Sequence, residues 1–186
     1  MQLKKQQGFT LIEIAIVLTI VGLVIGGIWL AASTVLNNNR KTEATRQVIQ
    51  IVQNTKNLFA NQTGANPANG FGQGQAIASG VFPAGMVINN ANVRHPFATE
   101  TGNNSVTIAG AGNAVTLTFG AAAAGLQFPQ DACVETVLRV GTTENFGRYG
   151  IQSVNGLGAN ATTAQLTGTC VTPNGNNPVT IVFNVP

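Results

Sequence analysis

The chain has 186 residues, enough for one domain with an appended segment, and only 8 % of them are Asp, Glu, Lys or Arg. That is about a third of the usual charged share; Asn, Gly, Ala and Thr stand in their place, which suits a secreted or surface-exposed protein. Nine basic side chains against six acidic ones do not make a nucleic-acid-binding surface, and without Lys4 and Lys5 the remainder is close to neutral.

In chain order, Lys4 and Lys5 come first, followed by the longest apolar run in the sequence. Between Phe9 and Leu36 the only charged residue is Glu13. The run is long enough to span a bilayer, which takes about 20 residues of helix. Lys4 and Lys5 place the N-terminus in the cytoplasm and everything after Leu36 outside. A carboxylate at the edge of such a run is costly. Insertion scales put Asp, Lys and Arg at about 2.5 to 3.5 kcal/mol at the centre of a membrane helix. Glu13 therefore needs compensation. The simplest is the positive end of the helix dipole, worth about 0.3 to 1 kcal/mol; a specific cationic partner would do more.

Three fates are open to this segment. A secretory signal would be cut after it, near Leu30-Ala31-Ala32-Ser33. A plain anchor would not be cut. A third site lies before the run, between Gly8 and Phe9.

The residues Gly8-Phe9-Thr10-Leu11-Ile12-Glu13, after a short leader with two lysines, resemble the prepilin signature of type IV pilins and type II secretion pseudopilins. That resemblance implies cleavage after Gly8 by a prepilin peptidase and N-methylation of Phe9. It also implies that Glu13 of one subunit meets the Phe9 amine of its neighbour during filament assembly, each charge offsetting the other in a low-dielectric stack.

From Phe9 to about Ala60 the chain reads as one helix with two halves. Residues 9–36 are apolar all round and form the transmembrane or filament-core stem. Residues 37–60 are amphipathic: Ala44, Val48, Ile51, Val52, Thr55 and Phe59 share one stripe. Arg40, Lys41 and Arg46 are the basic cluster there and read as a solvated face. Gly22, Gly26 and Gly27 interrupt the stem at about 0.5 to 1 kcal/mol each relative to alanine. They permit close helix packing; the resemblance adds local unwinding in a filament. The proline usual in one branch of the family is missing here, since the first is Pro67.

Asn61 to about Gly80 reads as loop, and residues 61–104 lie where the family has its αβ-loop. Ser105–Ala109 and Ala114–Phe119 alternate around Gly110-Ala111-Gly112-Asn113, a hairpin signal. Val106 and Ile108 share a face, as do Val115, Leu117 and Phe119. Asp131 to Val140 reads as a short helix with Asp131 as N-cap and Cys133, Val137 and Val140 on one stripe. Strands are expected at Tyr149–Val154 and Val179–Val185, with turns at Asn155-Gly156 and Asn174-Gly175.

Cys133 and Cys170 are the only cysteines. An even pair behind an export-like N-terminus suggests a disulfide, worth about 4 kcal/mol for so long a loop; two separate buried thiols are the alternative. The resemblance places the pair at the borders of a pilin D-region.

The expected fold is α+β, a long N-terminal helix packed on a small antiparallel sheet with a disulfide-closed C-terminal region. The expected segments are leader 1–8, stem 9–36, amphipathic half 37–60, αβ-loop 61–104, and sheet with D-region 105–186. No catalytic set is visible, and FGQGQAIASG lacks the third glycine of a dinucleotide loop, having Ile77 there. His95, before Pro96, reads as structural. No cofactor or metal is expected, and an enzyme is the wrong class.

The family implies a major structural subunit of a type IV pilus used in adhesion, aggregation, motility or DNA uptake. Its partners would be identical subunits in a helical filament, the prepilin peptidase, the inner-membrane assembly machinery and, before assembly, the inner membrane itself. The body would lie on the periplasmic side and end on an extracellular filament. A type II secretion pseudopilin or a minor, tip-located pilin is the alternative. The absence of any acidic residue after Glu144 favours the pilus, because major pseudopilins tend to carry acidic calcium ligands near the C-terminus.

Overall fold

The computed structural model describes residues 10–62, 64–99, 102–123, 125–170 and 177–186. The backbone divides after Asn39 into two units, and one helix, α1 (Leu11–Phe59), runs through both.

Among the described residues of the first unit there is no core. Every large hydrophobic side chain that is exposed among the described residues belongs to this stretch of α1, from Leu11 to Leu36. The helix is continuous through Gly22, Gly26 and Gly27, and a Cβ added at any of them would meet nothing within 4 Å. Thr19, Ser33 and Thr34 turn their hydroxyls back onto the carbonyls of Ala15, Leu30 and Ala31. Their donors are thus satisfied inside the helix, as an apolar environment requires.

The second unit begins where α1 becomes amphipathic. Ala44, Val48, Ile51, Val52, Thr55 and Phe59 are all buried, and Thr45 and Gln47 widen the stripe. This face shares one core with a four-stranded antiparallel sheet ordered β3-β4-β6-β5. Its strands are β3 (Val106–Ala111), β4 (Ala114–Phe119), β5 (Ile151–Val154) and β6 (Val179–Asn184). Val106 and Ile108, then Val115, Leu117 and Phe119, then Val179, Ile181 and Phe183 all point inward. Each such fully buried side chain contributes roughly 1.5 to 3 kcal/mol. The hairpin register continues to Ala111 opposite Ala114, so the turn is only Gly112-Asn113, with Gly112 at φ +61°.

Residues 61–80 are not all loop. They contain α2 (Gln73–Ala78), a single-turn helix that buries only Ala76. Gln75 accepts the Gly72 N–H at its start. Gln73 reaches β3: its Nε2 donates to the Val106 carbonyl and its Oε1 accepts the Ile108 N–H, both at 3.0 Å. A 3-10 turn at Ala84–Met86 leads into a small ribbon of β1 (Val87–Ile88) and β2 (Asn92–Val93).

The expected helix near 131–140 is α3 (Gln130–Val140), burying Ala132, Cys133, Thr136, Val137 and Val140. Its N-cap is Pro129, not Asp131. Asp131 lies inside the first turn, where its carboxylate is bound by Lys41 instead. Tyr149 does not open a strand, because Thr143–Tyr149 form a helix, α4, whose Thr142 cap accepts the Asn145 N–H. Gly150 ends it at φ +61°, and β5 starts only at Ile151.

Asn155 and Gly156 turn the chain in the left-handed region as expected. A further helix, α5 (Thr163–Gly168), begins with a Thr162–Gln165 capping box. The expected turn at Asn174-Gly175 lies outside the described residues. The fold is α+β, a long N-terminal helix packed on antiparallel sheets, with a Cys133–Cys170 disulfide.

Candidate functional site

The start of α1 combines the only charge of the apolar stretch with the helix's own unsatisfied amides. Thr10 precedes the helix and Glu13 is its third residue. The Thr10 N–H donates to Glu13 Oε2 at 2.9 Å, and the Thr10 hydroxyl donates to the same oxygen at 2.9 Å. In return the Glu13 N–H lies 3.4 Å from Thr10 Oγ1 and 3.1 Å from the Thr10 carbonyl. This is a reciprocal capping box, satisfying two orphan donors of the helix end. Such caps are worth about 0.5 to 2 kcal/mol.

Both donors act on Oε2. Oε1 accepts nothing among the described residues and remains open to a further donor. Glu13 is exposed, as are its apolar neighbours Leu11, Ile12 and Ile14. Gly8 and Phe9, the expected cleavage site and methylated N-terminus, lie outside the described residues. The Thr-x-x-Glu spacing was present in the sequence, and the capping-box rule would have found Thr10.

The other singled-out residues lie elsewhere. Cys133 on α3 and Cys170, just after α5, form a disulfide with Cα atoms 5.8 Å apart, and both are fully buried. His95 is 1 % exposed, wedged among Phe97, Phe119 and Phe128. Its Nδ1 accepts the Phe97 N–H at 3.2 Å, so Nε2 carries the proton and donates to the Leu126 carbonyl at 3.1 Å. Burial pushes its pKa down to about 4, leaving the ring neutral. Two of the three residues of the basic cluster are paired, and Arg40 is exposed. Lys41 meets Asp131 at 2.7 Å, and Arg46 grips both Glu43 oxygens at 3.0 and 3.1 Å. That grip holds the Glu43 carboxyl below its ordinary range.

The stretch of α1 with no core is also the one described helix long and apolar enough to cross a membrane. Residues 3–29, which include the capping box, match the family model of the prokaryotic N-terminal methylation motif. The N-terminal segment is that of a type IV pilin-like prepilin. No curated protein and no solved structure matches the chain.

The motif supports a member of the type IV pilin or pseudopilin group, a structural family, without distinguishing between them. Its motif implies processing by a prepilin peptidase and handling by a membrane assembly machinery. The exposed apolar helix fits anchoring in a membrane before assembly.

Proposed function

We propose that the chain is the major structural subunit of a type IV pilus. Cleavage between Gly8 and Phe9 frees an amine that a peptidase then methylates. The subunit waits in the inner membrane by residues 9–36 and polymerises with identical copies, stems forming the filament core and sheet domains its outer surface.

The observation that carries this reading is the segregation of exposed apolar surface. Every exposed large hydrophobic side chain among the described residues lies on α1 between Leu11 and Leu36, while the second unit buries its own core. The stem therefore needs a non-aqueous partner at every stage, and the partners available are lipid first and other stems afterwards. Glu13 supports it further: Thr10 saturates one oxygen and leaves the other for a neighbour's Phe9 amine. Gly22, Gly26 and Gly27 would serve close stem packing or local unwinding at that step.

The decisive experiment shears filaments from expressing cells and takes the intact mass of the dominant subunit. A mass of residues 9–186 plus one methyl, in abundance, is expected. The same processed form confined to the membrane would instead assign a pseudopilin or minor pilin. A form beginning near Ser33 would overturn the reading altogether.

A further inference from the structure

We infer that Trp29 is a membrane-interface anchor, seated among the lipid carbonyls and headgroups on the periplasmic side of the bilayer. With the Thr10–Glu13 capping box it fixes which part of α1 lies in hydrocarbon. The inference rests on the membrane stage of the function proposed above and narrows it.

Apolarity alone leaves that register open. The exposed large hydrophobic side chains run from Leu11 to Leu36, about 38 Å of helix, whereas a hydrocarbon core is about 30 Å thick. If the core ends at Trp29, then Leu30, Val35 and Leu36 stand beyond it. If it ends at Leu36, then Leu11, Ile12 and Ile14 stand outside the opposite face. Three large side chains leave the hydrocarbon either way, so burial does not choose between the two positions.

The indole does choose. Trp29 is the only tryptophan, 79 % exposed on the helix surface. It joins a large apolar body to one N–H donor, a combination that settles where acyl chains meet headgroups. Ending the core at Leu36 would bury that N–H about 10 Å deep, in hydrocarbon that offers no acceptor. Beyond Trp29 the helix also turns less apolar: Ser33 and Thr34 follow, then Asn37, Asn38 and Asn39.

Glu13 fits the same register. Both donors from Thr10 draw its Oε2 back towards the helix start, so the charge sits near the level of Thr10 rather than one turn deeper. Trp29 lies about 28 Å further along the axis, close to one hydrocarbon thickness. The capping box therefore marks one interface when the indole marks the other.

The test reconstitutes the full chain in phosphatidylcholine vesicles whose lipids carry bromine either near the headgroup or near the chain end. It reads quenching of the single tryptophan. Shallow bromines are expected to quench Trp29 at least about twofold more than deep ones. Leu18→Trp in a Trp29→Leu background moves the probe about 16 Å inward, and the order should reverse. Both positions are exposed on α1 and outside the second unit's core, so neither change disturbs that unit's fold. Stronger quenching of Trp29 by deep bromines, or equal quenching from both depths, overturns the inference and leaves the membrane anchoring standing. A shallow probe at both positions overturns it too, since the helix would then lie along the surface. A chain that fails to float with the vesicles removes the anchoring itself, and the inference with it.

Discussion

The Lys41 ammonium sits 2.7 Å from the Asp131 carboxylate and ties the first turn of α3 to α1. One turn further on, the Thr45 and Thr136 hydroxyls meet at 3.4 Å in a buried position. The two contacts fix α3, and with it Cys133, against the amphipathic part of the long helix.

The pair is unequally exposed, 17 % for Lys41 and 61 % for Asp131, so its worth is that of a surface bridge. A double-mutant cycle with Lys41→Met and Asp131→Asn should give a coupling of about 0.5 to 1 kcal/mol at pH 7. Lys41 holds the Asp131 carboxyl below its ordinary value. A depressed carboxylate stabilises the fold above its unfolded pKa and loses that contribution as pH falls through the folded one. The coupling should therefore weaken as pH falls below the ordinary carboxylate range and through the depressed folded value. An undiminished coupling there would mean that the contact is one of packing rather than charge.

His95 makes the opposite kind of demand. Its folded pKa of about 4 lies below the unfolded value near 6.5. Unfolded chains then bind the proton more readily, so stability is full above about pH 6.5 and falls as pH drops toward 4. The loss should approach about 3 kcal/mol and level off below pH 4. Urea midpoints between pH 7 and 4 measure it. His95→Gln, less stable at pH 7, should show a flatter profile over that range; an unchanged slope would assign the acid sensitivity to other groups.

Much of this architecture was legible as periodicity. The α1 stripe from Ala44 to Phe59 and the faces of β3 and β4 repeat often enough to declare themselves. What was missed is short. The helices α2, α4 and α5 have six or seven residues, too few for a period to show, and are held by Gln73, Thr142 and Thr162 rather than by apolar stripes. Locally Asp131 has the look of a cap, but its partner lies 90 residues earlier on α1. At the candidate site Glu13 was conspicuous because it is costly. Thr10 was overlooked because a threonine there costs nothing.

The Cys133–Cys170 bridge closes a loop of 37 residues' separation around α3, α4, β5 and α5. Replacing both cysteines by serine should destabilise the second unit by about 4 kcal/mol. Thermal melts with and without reductant measure the loss, and intact mass should shift by two hydrogens on reduction. A reduced protein melting at the oxidised temperature would show that buried contacts alone hold the region.

Glu13→Ala should leave the protein inserted and processed but poorly assembled. Glu13→Gln should do the same, although its amide oxygen can still accept the Thr10 N–H and keep much of the capping box. An amine stranded without its counter-charge in an apolar stack costs about 3 to 5 kcal/mol, so sheared filament should fall by more than about tenfold. Thr10→Val, which weakens the cap and keeps the charge, should be milder. Normal filament from Glu13→Gln would sink the charge-pairing idea.

The amide of Gln73 occupies the outer border of β3 as one more strand would, and at the far border the Val154 N–H is given to Leu157. Along β3 and at the end of β5, groups that could template a neighbour are thus already bonded within the chain. Molecules crowded side by side on a bilayer, each with an open sheet, would knit sideways into plaques. With those groups hemmed in, sideways knitting has little to start from, and the thread proposed above would lengthen through its greasy stems instead.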